Sequence, residues 1–109
     1  MKIFKELKKL GYIHYSATTI EELDDLPLNS AERISEQALV LRWFREKYHI
    51  IGEVKFKGGK TTKTAWYDYI IYSEIDWDEN LNEQWKKHEE AELECLKKLI
   101  EIVNENKKD

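Results

Sequence analysis

The chain has 109 residues, of which 41% are hydrophobic, 37% charged and 12% aromatic, and its formal net charge is −4. This composition is too aromatic for a disordered chain and too charged for a membrane protein. The net negative charge also opposes generic nucleic-acid binding, which needs clustered cations. We therefore expect one soluble cytoplasmic domain over 1–109 with no membrane partner, comprising short helices in 1–28 and an α-β-β-α core in 29–107.

Two short helices are predicted at the start of the chain. Ile3, Leu7 and Leu10 recur at helical spacing, and Gly11 follows them. Glycine commonly ends a helix. Thr18 and Thr19 each precede a glutamate by three residues, as helix caps do, and Pro27 stops the second helix. The acidic residues there are interpreted as a solvated face rather than a metal site: Glu21, Glu22, Asp24 and Asp25.

A central helix is predicted over about 30–48, with Asn29 or Ser30 as its cap. From Ala38 to Phe44 the segment is apolar on nearly every side, and a helix of this kind is normally covered on every side. We expect it to lie between the strands and another helix, or to contribute one face to a homodimer.

A β-hairpin is predicted over about 50–57 and 61–72, around Gly58-Gly59. The first strand alternates apolar and polar residues, as a half-buried strand does. The second strand is apolar or aromatic on both faces, so the sequence leaves open which face is the core.

A C-terminal helix is predicted to begin at about 79 or 88 and to end at about 104, which leaves 78–87 open as helix, loop or third strand. Cys95 lies on its apolar stripe and is interpreted as a packed thiol rather than a nucleophile. The predicted fold class is α+β, with the hairpin packed against the central and C-terminal helices and the short N-terminal helices beside them.

Three patterns resemble functional motifs but lack required residues. Residues 59–62, G-K-T-T, resemble the end of a phosphate-binding loop, but Val54 replaces the first glycine and a strand follows instead of a helix. Asp76, Asp78 and Asn80 match the first ligand positions of a calcium-binding loop, but the glycine and the closing glutamate of that motif are missing. The histidines lie in separate elements: His14, His49 and His88. We therefore expect no enzymatic activity, cofactor or metal.

The hairpin also carries a basic and aromatic segment over 53–72. From Glu53 to Lys63 the charge is +4 − 1 = +3, because one glutamate, Glu53, stands against four lysines: Lys55, Lys57, Lys60 and Lys63. Together with Trp66 and the tyrosines that follow, these lysines are a candidate nucleic-acid contact. Two alternatives remain open. The lysines keep an exposed hairpin soluble while the aromatics build the core, or the same residues bind a protein.

Two segments resemble a group of short uncharacterised proteins of bacteriophages and integrated mobile elements of anaerobic gut bacteria. They are L-V-L-R-W-F-R-E-K-Y-H-I-I-G-E-V (39–54) and E-E-A-E-L-E-C-L-K-K-L-I-E-I-V-N-E-N-K (89–107). The resemblance covers Ser35 to Lys107 and implies an accessory product of a mobile element. Lys87-His88 replaces a Thr-Tyr pair of that group, which favours an upstream extension of the last helix through Trp85.

These observations predict a non-catalytic interaction protein. Its expected partner is a host or phage protein, or a second copy of the chain. The alternative is a nucleic-acid-binding accessory factor that uses the hairpin.

Overall fold

The computed structural model describes residues 2–15, 17–57, 66–72, 77–79 and 85–107, with the backbone alone for 77–79 and 106–107. The elements, in chain order, are α1 (Ile3–Lys9), α2 (Ile20–Asp25), α3 (Ala31–Tyr48), β1 (Ile51–Lys57), β2 (Trp66–Tyr72), β3 (Trp77–Glu79) and α4 (His88–Lys107). The predicted α+β class is therefore confirmed. The short strand β3 adds to the predicted hairpin.

Local signals in the sequence fix the helix ends. Gly11 follows α1 with a φ of 99°, in the left-handed region that glycine adopts most easily. Thr19 and Ser30 cap α2 and α3, each side-chain oxygen accepting a hydrogen bond from a backbone N–H three residues later. Helix α3 ends at His49, whose φ is 58°. Ser30 is thus the cap of α3, and the alternative, Asn29, is not.

The start of α4 corrects one expectation. The helix begins at His88 and does not extend upstream through Trp85. Trp85 instead forms an isolated antiparallel bridge with Tyr67, in which each backbone N–H donates to the other residue's carbonyl oxygen. The question left open for 78–87 is answered in part, because β3 is a third strand; residues 80–84 lie outside the described part of the chain.

The sheet is antiparallel with the strand order β1-β2-β3. Strand β1 pairs with β2 without interruption, from Ile51 opposite Tyr72 to Lys57 opposite Trp66. The predicted second strand began at 61, but 61–65 lie outside the described residues. Strand β3 pairs with the end of β2, where Ile71 lies opposite Asp78.

The helix-facing side of the sheet contains Gly52 and its neighbour Ile71. A Cβ atom built on Gly52 would lie 2.8 Å from Cys95 Sγ, 2.9 Å from a Leu99 methyl carbon and 3.2 Å from a Leu41 methyl carbon. Helices α3 and α4 therefore both pack against β1 at the one strand position that lacks a side chain. The core extends from this contact through all four helices.

The opposite side of β2 is buried as well. Asp68 and Ile70 alternate with the helix-facing residues, and only 2% and 4% of their surfaces are exposed. Ile70 is not part of the helix-packed core cluster. Both faces of β2 are thus buried at the centre of the strand, which explains why the sequence alone did not identify a single core face.

Helix α3 is less covered than expected. Val40 and Phe44 are fully buried, but Ala38 is exposed and Trp43 is only partly buried. Within one chain α3 is therefore not covered on every side, and the alternative, in which its exposed face contributes to a homodimer, stays a prediction. The physical reason is that α4 and β1 pack on one side, whereas the Trp43 ring is covered by edge-to-face contacts with three neighbouring rings: Tyr12, Phe44 and Tyr48.

None of the helices in the described ranges combines the length and the apolar character that a membrane-spanning segment needs.

The Gly52 contact predicts a sharp size limit at that position. Gly52→Ala should lower the free energy of unfolding by about 1–3 kcal/mol, because the added methyl group overpacks the junction of β1, α3 and α4. Denaturant unfolding followed by tryptophan fluorescence would measure the change. Ser35→Ala, at an exposed position of α3, is the control and should change stability by less than about 0.5 kcal/mol. Equal stability of Gly52→Ala and the wild type would contradict the packing at this junction.

Candidate interaction surface

The fold places three of the five predicted site residues on one face of the sheet. Lys55 and Lys57 lie in β1, and Trp66 begins β2, directly opposite Lys57. Lys60 and Lys63 lie outside the described residues. Lys55 is opposite Asp68, which places a buried carboxylate beside the predicted cations.

The part of this basic face that β1 and β2 form carries no net charge. Two lysines of β1 share the face with Glu53 and Asp68, which gives +2 − 2 = 0. The Asp68 side chain accepts a hydrogen bond of 2.7 Å from the backbone N–H of Tyr69. The count of +3 covered 53–63 and left out Asp68, which the strand register places directly opposite Lys55.

The rejected motifs are also located in part. Residues 59–62 lie outside the described ranges, as do Asp76 and Asn80, whereas Asp78 belongs to β3. The histidines remain in separate segments: His14 before α2, His49 after α3 and His88 at the start of α4. Across the ranges that the structure describes, no group of three or more His, Cys, Asp or Glu side chains is placed to hold a metal ion.

Cys95 is fully buried in the core, as the sequence predicted. Burial, followed by the nearby Glu92 carboxylate, raises the pKa of the Cys95 thiol to about 12. A thiol with this pKa is protonated at neutral pH, and the thiolate is the nucleophilic form. Cys95 therefore packs against Gly52 and offers no nucleophile.

A buried polar chain, which the sequence did not reveal, connects three helices. The Arg33 guanidinium donates to the carbonyl oxygens at the end of α2: those of Leu23, Asp24 and Leu26. Arg33 Nε donates to Gln37 Oε1, and Gln37 Nε2 donates to Glu92 Oε1, each at 2.9 Å. Arg33, Gln37 and Glu92 are all buried. Their spacing gave no signal, because Glu92 is 55 residues from Gln37.

The acidic cluster of α2 has one structural member. Asp24 accepts hydrogen bonds from the backbone N–H groups of Phe4 and Lys5 at 2.9 and 3.1 Å, so it caps the first turn of α1 from another helix. The other acidic residues are exposed, as a solvated face requires: Glu21, Glu22 and Asp25. The interpretation as a solvated face is therefore wrong for Asp24.

A second buried carboxylate, Glu36, holds the extended segment 12–15 against α3. It accepts hydrogen bonds from the Tyr12 hydroxyl and from the backbone N–H of Tyr15. Burial, with this hydrogen bond and the Glu36 charge, raises the pKa of Tyr12 above its usual range. Two side chains of this segment nevertheless point outward: Ile13 is 82% exposed and Tyr15 is 76% exposed.

An open groove of about 380 Å³ lies between Tyr15 and α3, and we call it the Tyr15 groove. Its lining residues are Tyr15, Ala31, Glu32, Ser35, Glu36 and Leu39. The α3 residues recur every four positions, so one stripe of the helix forms the groove wall. The Glu32 carboxylate accepts a hydrogen bond from the Thr18 hydroxyl, so Thr18 contacts α3 while Thr19 alone caps α2.

Comparison with known proteins gives no relatives: no family model, no curated protein and no solved structure matches the chain.

The position of Arg33 predicts that lysine is a poor substitute. Arg33→Lys should lower the free energy of unfolding by about 1.5–3 kcal/mol, because an ammonium group cannot reproduce the guanidinium fork that serves three carbonyl oxygens and Gln37. Arg42→Lys is the matched control on the same helix. Arg42 forms an exposed pair with Glu46, so its replacement should leave the stability nearly unchanged. Similar losses for both variants in chemical denaturation would contradict the buried role of Arg33.

The raised pKa of Cys95 predicts a dependence of stability on alkaline pH. The unfolded thiol, with a pKa of 9.0, ionises first, whereas the folded thiol stays protonated up to about pH 12. This contribution to stability is complete below pH 9.0 and is lost as the pH rises towards about 12. The slope attributable to this group approaches about 1.4 kcal/mol per pH unit. Unfolding free energies measured over this range should therefore fall less steeply in Cys95→Ala than in the wild type. Parallel curves would contradict the prediction.

Proposed function

We propose that this chain is a non-catalytic protein-binding protein that uses the Tyr15 groove and the adjacent Ile13. On the resemblance of 39–54 and 89–107, we also propose that it is an accessory product of a phage or mobile element whose partner is a host or phage protein.

The exposure of Ile13 and Tyr15 on a fixed backbone supports this proposal most directly. The buried Glu36 carboxylate accepts hydrogen bonds from the Tyr12 hydroxyl and from the backbone N–H of Tyr15, so it ties the segment 12–15 to α3. A surface that is held in one conformation loses less entropy on binding than a mobile one. Tyrosine also provides a large contact area with a polar end, which is why it is enriched at interfaces.

The groove indicates the chemistry of the partner. Tyr15, Ala31 and Leu39 contribute apolar surface to its lining, Glu32 contributes an exposed carboxylate, and the Glu36 carboxylate is buried beside Tyr15. Arg42 is within electrostatic reach of the Tyr15 hydroxyl but does not belong to the groove lining. These features favour an apolar protein segment followed by a lysine or arginine over a polyanion.

Site-specific photocrosslinking tests the proposal. A photoreactive phenylalanine analogue at Tyr15 should give a discrete crosslinked product in the cell that encodes the protein. The same analogue at Glu101, which is exposed on α4, is the control and should give none. Ile13→Ser, introduced beside the Tyr15 probe, should remove the product while changing stability by less than about 0.5 kcal/mol, because this side chain is exposed. Identical products from both probe positions would contradict the proposal.

Nucleic-acid binding by the hairpin is a second candidate, and the pairing of Lys57 with Trp66 favours it. A cation beside an aromatic ring can contact a phosphate while a base stacks on the ring. The neutral charge of the face that β1 and β2 form weakens this candidate. It predicts binding to single-stranded DNA or RNA that falls steeply with salt and is lost in Lys57→Glu. Fluorescence anisotropy that shows no salt-sensitive binding would remove it.

A further inference from the structure

We propose that β1 pairs antiparallel with β1 of a second copy, centred on Val54, to form a sheet that continues across a two-fold axis. This inference is independent of the Tyr15 groove. It starts from the position of β1, which has a strand on only one side within the described sheet. Two large apolar residues of this edge strand are exposed: Ile51 by 44% and Phe56 by 58%.

The hydrogen bonds of β2 determine which groups of β1 face the open edge. Tyr67 exchanges both of its backbone hydrogen bonds with Trp85, on the side of β2 away from β1. In an antiparallel sheet the N–H and C=O of one residue point to the same side. The Tyr67–Phe56 pair is therefore not hydrogen-bonded, and the backbone groups of Phe56 point away from β2. By the two-residue period, those of Val54 and Gly52 do so too.

These outward groups can pair with the same groups of a second copy. With Val54 opposite Val54 of the partner subunit, Gly52 lies opposite Phe56 of the partner subunit, and Phe56 lies opposite Gly52 of the partner subunit. All three positions then form hydrogen-bonded pairs. Phe56 then lies opposite a residue that has no side chain. An edge that presents both its hydrogen-bonding groups and apolar side chains is a template for strand addition.

The charges select this register. The positions between the hydrogen-bonded pairs bring Glu53 opposite Lys55 of the partner subunit, and Lys55 opposite Glu53 of the partner subunit. Non-hydrogen-bonded pairs hold their side chains closest together, so opposite charges there are favourable. Asp68 of β2 already lies opposite Lys55. Each row across the interface therefore runs from Asp68 through Lys55 to Glu53 of the partner subunit, with charges of alternating sign.

The neighbouring registers place like charges together. A shift that keeps the outward groups paired centres the axis on position 53 or on position 55. The first brings two copies of Glu53 face to face, and the second brings two copies of Lys55 face to face. Like charges directly opposite each other are destabilising. The strand is therefore complementary to itself in one register and repulsive in the two adjacent ones.

Charge exchange tests the interface. Light scattering should give twice the 13.1 kDa chain mass for the wild type. Glu53→Lys alone and Lys55→Glu alone should each be monomeric, because each places like charges opposite each other twice. An equimolar mixture of these two variants should return to twice the chain mass, because every pair is then of opposite sign. A monomeric wild type, or a dimer whose mass neither variant changes, would overturn the proposal.

Amide hydrogen exchange gives a test that needs no variant. At concentrations where the dimer forms, the amides of Gly52, Val54 and Phe56 should be protected, and their protection should fall on dilution in proportion to the dimer fraction. The amides of Glu53 and Lys55 donate to β2 and should keep their protection, which makes them the internal control. Rapid exchange at Val54 at every concentration would overturn the proposal, whatever occupies the Tyr15 groove.

Discussion

The placement of the N-terminal helices depends on one arginine inside the protein. Arg33 projects from α3 to the end of α2, where helix carbonyl groups have no partners within the helix and where helix α2 has no basic residue of its own in its last turn. Its guanidinium supplies both the hydrogen bonds and the positive charge that this helix end lacks. Because α2 is held there, Asp24 reaches the first turn of α1, and the apolar face of α1 is held in the core.

The same chain of contacts reaches α4 through Gln37. This side chain accepts from Arg33 and donates to Glu92 of α4, so a buried cation and a buried anion are joined through a neutral amide. No buried side-chain nitrogen or oxygen in the described residues lacks a hydrogen-bond partner. Removal of one member would leave a charge or an amide without its partner in a dry environment, which costs more than the hydrogen bond itself contributes. The polar chain therefore fixes the relative positions of α2, α3 and α4, which apolar packing alone would define less sharply.

Buried carboxylates also connect the fold to its surfaces. Glu36 anchors segment 12–15 and leaves the side chains of Ile13 and Tyr15 exposed to solvent. Asp68 offsets the positive charge of the sheet face on which the sequence predicted a nucleic-acid contact. Nothing in the sequence distinguishes these two residues from the other acidic residues of the chain. Their roles follow from where the fold places them, beside Tyr15 and beside Lys55. The two proposed interfaces, the Tyr15 groove and the β1 edge, lie on different elements, so the two proposals do not compete for the same residues.

The sequence by itself determined the fold class, the hairpin and the helices apart from the start of α4, because caps, glycines and apolar periodicity act over a few residues. Gly11, Thr19 and Ser30 signal the helix ends, and the change from helical to alternating periodicity after residue 49 marks the sheet. Of the candidate site, the sequence identified the lysines and Trp66 but neither the charge that faces them nor the groove. The tertiary structure alone decided that Asp68 lies beside Lys55, that Glu36 holds Tyr15, and that Arg33 and Glu92 share one buried chain. These contacts join residues from 13 to 59 positions apart, and no local rule encodes such distances, since the register and the helix packing set them only when the whole chain has folded.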